Sequence, residues 1–260
     1  MTTFTFGGTA LSTFGKVTVL NDYLDMASRR GENQIVPFRH GTVHAGKYFD
    51  ERRIDVGIAV YAASATALES TFDTMKRLFA PRTEQTLSMT MEDSSTRTAQ
   101  AIVDIPMEVE RMSSTQANVV VEFTLCNPFF RGSSLISDNT TTINTSPKAM
   151  TVVNTGTVEE REPIITMIGP LANTAITNST TGVSMTYSGT ISSGGTVVIQ
   201  TDSFGQYTAL LGGSTNVIGN ITHNGAAAFM VLSAGTNTLS ITDGSATTGT
   251  IKMSFYPPYL

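Results

Sequence analysis

His40 and His44 stand four residues apart, a spacing that on a helix would aim two imidazoles at one divalent metal. The intervening Gly41-Thr42-Val43 reads as strand, and His40 lacks the adjacent glutamate of a zinc-protease helix, so both read as solvated polar side chains. The third histidine, His223, precedes Asn224-Gly225, a hairpin-turn dipeptide. Glu159, Glu160 and Glu162 form the densest carboxylate cluster, the raw material for hydrolysing a sugar linkage. Lying beside Arg161 just ahead of an apolar segment, they read as a solvated charged loop. Glu108 and Glu110, two apart, mark the wet face of a strand. Cys126 is the single cysteine, which excludes an intrachain disulfide and a multi-cysteine metal site. Following Thr124-Leu125 at the end of an apolar run, it reads as a small buried hydrophobe. There is no Gly-x-Ser-x-Gly elbow and no glycine-rich loop closing on Lys-Ser or Lys-Thr. The expectation is a chain with no catalytic, cofactor-binding or metal site, and hence not an enzyme.

The elements that would position these residues are strands. In Arg53–Tyr61, Ile54, Val56, Ile58 and Val60 alternate with Asp55, Gly57, Ala59 and Tyr61, the pattern of a strand buried on one face. Leu87–Met91, Thr98–Asp104, Met107–Arg111 and Val119–Leu125 follow as further strands. One helix interrupts them, over about 64–80. Ser64 supplies the cap, and Leu68, Phe72, Met75 and Phe79 form a single apolar stripe. Asp73 and Arg77 can pair one turn apart, and Pro81 ends the helix.

Charge thins abruptly after Arg131, and Gly132 to Ser146-Pro147 is rich in Ser, Thr and Asn. Residues 133–149 therefore read as a connector between a domain over 1–132 and a second over 150–260. In that second half Met150–Val153, Ile164–Ile168, Val183–Tyr187, Val197–Gln200, Phe229–Leu232, Leu239–Thr242 and Ile251–Tyr256 are short apolar segments. Turn signals such as Ser193-Gly194-Gly195 and Asp243-Gly244 divide them, as in a β-sandwich. The fold class is mainly β: an N-terminal β-sandwich with one helix and a C-terminal β-sandwich.

Only 14% of residues are charged, and the formal net charge is −5. A general nucleic-acid binder carries a basic excess to neutralise phosphates, and this chain has none. The beginning has neither the basic nor the apolar region of a signal peptide. The longest apolar run, Ala226–Leu232, is too short to cross a bilayer, so the chain reads as soluble and made without export. One local basic cluster stands out: Arg29, Arg30, Arg39, His40, His44, Lys47, Arg52 and Arg53, opposed by Glu32, Asp50 and Glu51. A plain polar surface, a contact with an acidic protein neighbour, and nucleic acid all fit it, in that order of preference.

Taken in sequence, several motifs resemble the distal tail protein (Dit) family of long, non-contractile-tailed bacteriophages. In the first half these are Phe4-Thr5-Phe6-Gly7-Gly8, the Gly41–Arg53 segment leading into the Ile54 strand, the single strand-flanked helix, and Asn127-Pro128-Phe129-Phe130-Arg131-Gly132. In the second they are Asn154-Thr155-Gly156, Pro163-Ile164-Ile165, Gly169, Thr181-Gly182, Tyr187 and Leu232-Ser233-Ala234-Gly235-Thr236-Asn237. Gly7 stands where the family's opening motif usually has Asn. The resemblance implies an N-terminal sandwich that forms a hexameric ring and a galectin-like C-terminal sandwich at its periphery. It further implies that the ring joins the tail tube to the tail-tip hub and receptor-binding proteins, with DNA passing through its lumen. The expected location is the virion tail tip, after synthesis in the bacterial cytoplasm. No membrane and no specific nucleic acid is expected as partner.

The alternative is a carbohydrate-binding or adhesin module. Sugar sites stack a ring on an exposed aromatic, often Trp, and the chain has no Trp. Its second half offers Tyr187, Tyr207, Tyr256 and Tyr259, none of them an evident platform. Lining a DNA lumen with the basic cluster would slow the polymer by phosphate attraction, so Arg29, Arg30, Arg39, Arg52 and Arg53 are expected mostly to meet protein or solvent.

Overall fold

A computed structural model describes residues 2–20, 26–31, 34–35, 40, 42–43, 48–202, 205–225, 228–244 and 248–260. The chain separates into two compact units, Met1–Arg131 with Leu260, and Gly132–Tyr259.

In the first unit, β1 (Thr3–Phe6), β2 (Thr9–Ala10), β3 (Lys16–Val19) and β4 (Arg52–Tyr61) precede the helix α1 (Ala65–Phe79). After it come β5 (Gln85–Thr90), β6 (Thr96–Ala101), β7 (Glu108–Arg111) and β8 (Gln116–Leu125). They form two antiparallel sheets, one running β2–β1–β5–β6 and the other β7–β8–β4–β3. Ile54, Val56, Ile58 and Val60 are each no more than 1% exposed, the buried face read from the alternation. The Ser64 hydroxyl accepts the Ala67 N–H at 3.1 Å, and Leu68, Phe72, Met75 and Phe79 are the buried residues of α1. Phe79 joins the layers. Its ring lies 6.0 Å from Phe6 on β1 and 6.0 Å from Phe123 on β8, while Phe6 and Phe123 stand 4.9 Å apart. The expected Asp73–Arg77 pair is not formed. Asp73 meets Lys76 at 3.4 Å, and Arg77 turns back to donate to the Asp73 carbonyl at 3.2 Å and the Thr74 hydroxyl at 3.3 Å. Gly7 has φ +52°, the left-handed region that Gly enters freely and Asn more readily than most other residues.

The second unit holds β9 (Ile136–Ile143), β10 (Lys148–Asn154), β11 (Ile164–Ile168), β12 (Leu171–Asn178), β13 (Ser184–Ile191), β14 (Thr196–Thr201), β15 (Tyr207–Leu211), β16 (Ile221–His223), β17 (Gly235–Thr242) and β18 (Gly249–Phe255). Its sheets run β9–β18–β11–β14–β15, continued by Thr215–Asn216, and β10–β17–β12–β13–β16. The inward residues of both, among them Val152, Ile165, Ile176, Ile199, Ile241 and Ile251, share one apolar core. Within 133–149, expected as a connector, Ile136–Ile143 pairs with β18 and buries Ile143. The β-branched threonines that read as linker composition suit a strand with one wet face.

Phe229–Leu232, expected as a strand, is not one. It is a buried irregular segment, with Met230 and Leu232 fully enclosed and only a single bridge, Glu160–Leu232. Buried carbonyls without a ladder need other donors, and side-chain amides supply them. The Val231 carbonyl accepts from Asn178 Nδ2 at 2.7 Å and Thr181 Oγ1 at 3.2 Å. The Leu232 carbonyl accepts from Asn154 Nδ2 at 3.1 Å and Glu160 N at 2.8 Å. Two of the family-like motifs, Asn154-Thr155-Gly156 and Leu232–Asn237, thus supply part of this clamp. Asp243 fixes a second irregularity. Its carboxylate accepts from Ala172 N at 2.8 Å and Thr174 Oγ1 at 2.9 Å, holding the bulge at which Asn173 takes φ +49°.

Candidate assembly surface

Within each unit, the described residues singled out for chemistry form no catalytic or metal-binding cluster. His40 is exposed, His223 meets Phe229 edge-on at 4.8 Å, and His44 lies outside the described residues. Among the described residues no group of three His, Cys, Asp or Glu side chains is placed to hold a metal ion. The glutamate cluster splits. Glu159 pairs with Arg161 at 2.5 Å, but Glu160 is 1% exposed, and its carboxylate accepts the Glu162 N–H at 2.6 Å. Glu160 is therefore a pin for the buried segment through its bridge to Leu232, not part of a solvated loop. The Tyr207 hydroxyl donates to the Arg161 carbonyl at 2.6 Å, and its ring stacks on Phe229 at 4.3 Å. Burial pushes the Tyr207 phenol up from its ordinary range, with the Glu162 and Glu160 carboxylates acting the same way. Tyr187 is 2% exposed in the core and closed to any sugar.

Cys126, expected to be buried, is exposed. β8 ends at Leu125, and the next residue turns outward into Asn127-Pro128. Local desolvation pushes its thiol up, and the Glu84 carboxylate adds to the shift. Alkylation by iodoacetamide at pH 8 is accordingly expected to run slower in the folded chain than after unfolding in urea, because less thiolate is present. Equal rates would show that Glu84 does not hold the thiol.

The basic cluster divides into pieces with separate partners. Arg29 stacks on Phe49 at 5.0 Å, within a ribbon where Arg29–Arg30 pairs with Tyr48–Phe49. Arg52 is 5% exposed over the Phe130 ring at 4.9 Å. Arg53 meets Glu51 at 2.7 Å and Glu122 at 3.4 Å, and these carboxylates raise its guanidinium still further. Arg39 and Lys47 lie outside the described residues.

Among its described residues, the first unit presents a sheet with exposed apolar margins. β7 and β3 are the two ends of the sheet β7–β8–β4–β3, each paired on one side only among the described residues. All four residues of β7 are exposed, including Val109 at 43%. Tyr61 and Met112 stand out at 66% and 60%. Beside β7 an open groove of about 750 Å³ runs past Phe79, Pro81, Ile102, Ile105 and Pro106, with Lys76 and Arg82 at its rim. An unpaired edge with exposed valine, isoleucine and methionine invites another chain, and soluble proteins normally protect such edges. No element within the described residues does so here.

Comparison with known proteins agrees with this picture. Residues 12–125 match the phage tail protein RIFT-related domain. A search of curated proteins gives no match. The crystal structure of phage SPP1 Dit, described as a paradigm of the hub adsorption apparatus in phages infecting Gram-positive bacteria, aligns over 100% of both chains. Its TM-score is 0.73 at 15% identity, which establishes a shared fold. A chain of the phage P2 baseplate in its Ca-activated conformation covers 98% of each chain at 9% identity, with a TM-score of 0.44, too remote to use. Residues 12–125 are thus similar to the phage tail protein RIFT-related domain, and the chain along its whole length shares the fold of SPP1 Dit.

Proposed function

We propose that this chain is a structural, non-enzymatic hub protein of a phage tail tip. Six copies close a ring through the first unit, with the galectin-like C-terminal sandwich outside it. The ring joins the tail tube to the host-adsorption apparatus, and DNA passes through the lumen. The observation that carries this reading is the end-to-end agreement in fold with SPP1 Dit, together with a tail-protein domain over residues 12–125. The sheet edges of the first unit, unpaired among the described residues, support it as surfaces a neighbouring copy could cover.

Light scattering coupled to size exclusion, over a range of concentrations, tests the ring. A species of about six times 27.7 kDa is expected. A 27.7 kDa species at every concentration, unchanged by added tail tube protein, would remove the ring from the reading.

A further inference from the structure

Asn224-Gly225 is the single Asn-Gly pair in the chain, and Asp243-Gly244 the single Asp-Gly pair. Both are open to the same chemistry. The backbone nitrogen of the glycine can attack the side-chain carbonyl carbon of the residue before it, because glycine has no Cβ to obstruct the approach. The fold treats the two pairs differently.

Asp243 is 6% exposed, and its carboxylate is held by Ala172 N and Thr174 Oγ1. Its attacking nitrogen is occupied too, since Gly244 N donates to the Ala172 carbonyl at 2.8 Å. That pair is locked at both ends. Asn224 is exposed, one residue beyond β16. Its N–H donates to the Ser184 carbonyl at 3.0 Å, and its Oδ1 accepts from Ser184 N at 2.6 Å. Its Nδ2 donates to the Gly182 carbonyl at 3.1 Å. The side-chain carbonyl thus takes the place of a backbone rung, and the amide is held across the strand gap instead of over Gly225 N. All three bonds depend on β16, which has three residues and pairs, among the described residues, with β13 alone. The glycine is fixed by packing. A Cβ at Gly225 would stand 2.5 Å from the Ala228 carbonyl oxygen, so the fold keeps the labile pair.

We propose that Asn224 is a site of spontaneous deamidation that the docking of β16 holds closed. When β16 lifts from β13, the amide is free to rotate. Gly225 N gives its proton to hydroxide and bonds to Asn224 Cγ. The Cγ–Nδ2 bond breaks, and the nitrogen takes a proton from water and leaves as ammonia. A second water opens the five-membered imide at one carbonyl to give aspartate, or at the other to give isoaspartate. Either product has a carboxylate oxygen in place of the amide nitrogen that bonded Gly182, and isoaspartate also lengthens the backbone. β16 cannot then dock with the same bonds, so a transient opening becomes a permanent one.

The whole chain is incubated at mildly alkaline pH in native buffer, in urea, and as Thr222→Pro. Thr222 pairs with Thr186, and proline there lacks the N–H and disfavours strand pairing. Peptide mapping by mass spectrometry follows conversion at position 224. Native conversion is expected to be slower than in urea by about tenfold or more, the least that three hydrogen bonds of ordinary net strength impose. Thr222→Pro should approach the urea rate while circular dichroism shows its sheets retained. Asn224→Asp, one of the products, should lower the melting temperature of the second unit, a readout that does not need Thr222→Pro to fold. Equal rates in native buffer and urea would overturn the gating by β16. An unaltered Asn224 in urea would overturn the site itself, and an Asn224→Asp chain as stable as wild type would overturn the permanence of the opening.

Discussion

Replacing Asn237 by alanine is expected to destabilise the second unit by ~3 kcal/mol or more, since several buried partners lose their hydrogen bonds together. The amide is fully buried and used on both sides. Its Nδ2 donates to the Ser233 carbonyl at 2.8 Å and the Gly235 carbonyl at 3.2 Å. Its Oδ1 accepts from Ser233 N at 2.9 Å and Asn178 Nδ2 at 3.0 Å. Asn178 in turn holds the Val231 carbonyl, so the loss reaches the irregular Phe229–Leu232 segment that caps the core. For a unit of this size the loss corresponds to roughly 10 °C in melting temperature. Differential scanning calorimetry resolves it, and the transition of the first unit serves as internal reference. Asn237→Asp keeps the acceptor and loses the donors, so it should fall between wild type and alanine or below both if the buried charge dominates. A shift under 2 °C in Asn237→Ala would mean the network is not what holds the segment.

Phe123→Ala is expected to cost the first unit ~3–5 kcal/mol, the range for emptying a buried phenylalanine site. Phe123 is fully buried and completes the three-ring contact with Phe6 and Phe79 that joins both sheets to the helix. The vacated space is bounded by elements tied at both ends into sheets or helix, which limits collapse into it. Phe123→Leu keeps most of the volume and should cost about 1–1.5 kcal/mol. Urea unfolding followed by tryptophan-free probes such as far-ultraviolet circular dichroism measures both. Equal costs for the two variants would show that the ring contacts, and not the filled volume, carry the stabilisation.

The sequence declares those elements whose burial is periodic. β4 and α1 are read nearly to the residue because a buried face at period two, or a stripe at helical spacing, leaves a pattern in the residues themselves. β9, β12 and β15 were not among the expected strands. Ile136–Ile143 and Leu171–Asn178 are rich in Ser, Thr, Asn and Ala, residue types that turns share. The opposite error occurs at Phe229–Leu232, where an apolar run is buried without being a strand. Its backbone is satisfied by Asn154 and Asn178, more than 50 positions away along the chain, and no local pattern announces such partners.

The assembly surface was illegible for a related reason. Lys16, Val17, Glu108, Val109 and Glu110 are unremarkable in sequence. They lie on β3 and β7, at opposite ends of one sheet, and strand order is a property of the whole chain. Residues that read as chemistry, the histidines and the Glu159–Glu162 cluster, were by contrast conspicuous locally and scattered or structural in space. Glu160 shows the difference most clearly, since it is buried where its backbone bridges to Leu232, which lies 72 positions later.

β18 has a consequence for how the chain is made. It is the last long strand of its unit to leave the ribosome, yet it lies between β9, the first, and β11. The first unit has nearly all its residues in hand by Arg131 and can fold while synthesis continues. The second cannot. Until residue 255 has emerged, β9 and β11 have no strand to bridge them, and Thr-rich edges wait unpaired beside a growing apolar face. Emergence of Gly249–Phe255, and not any earlier point in translation, sets when that sandwich can close.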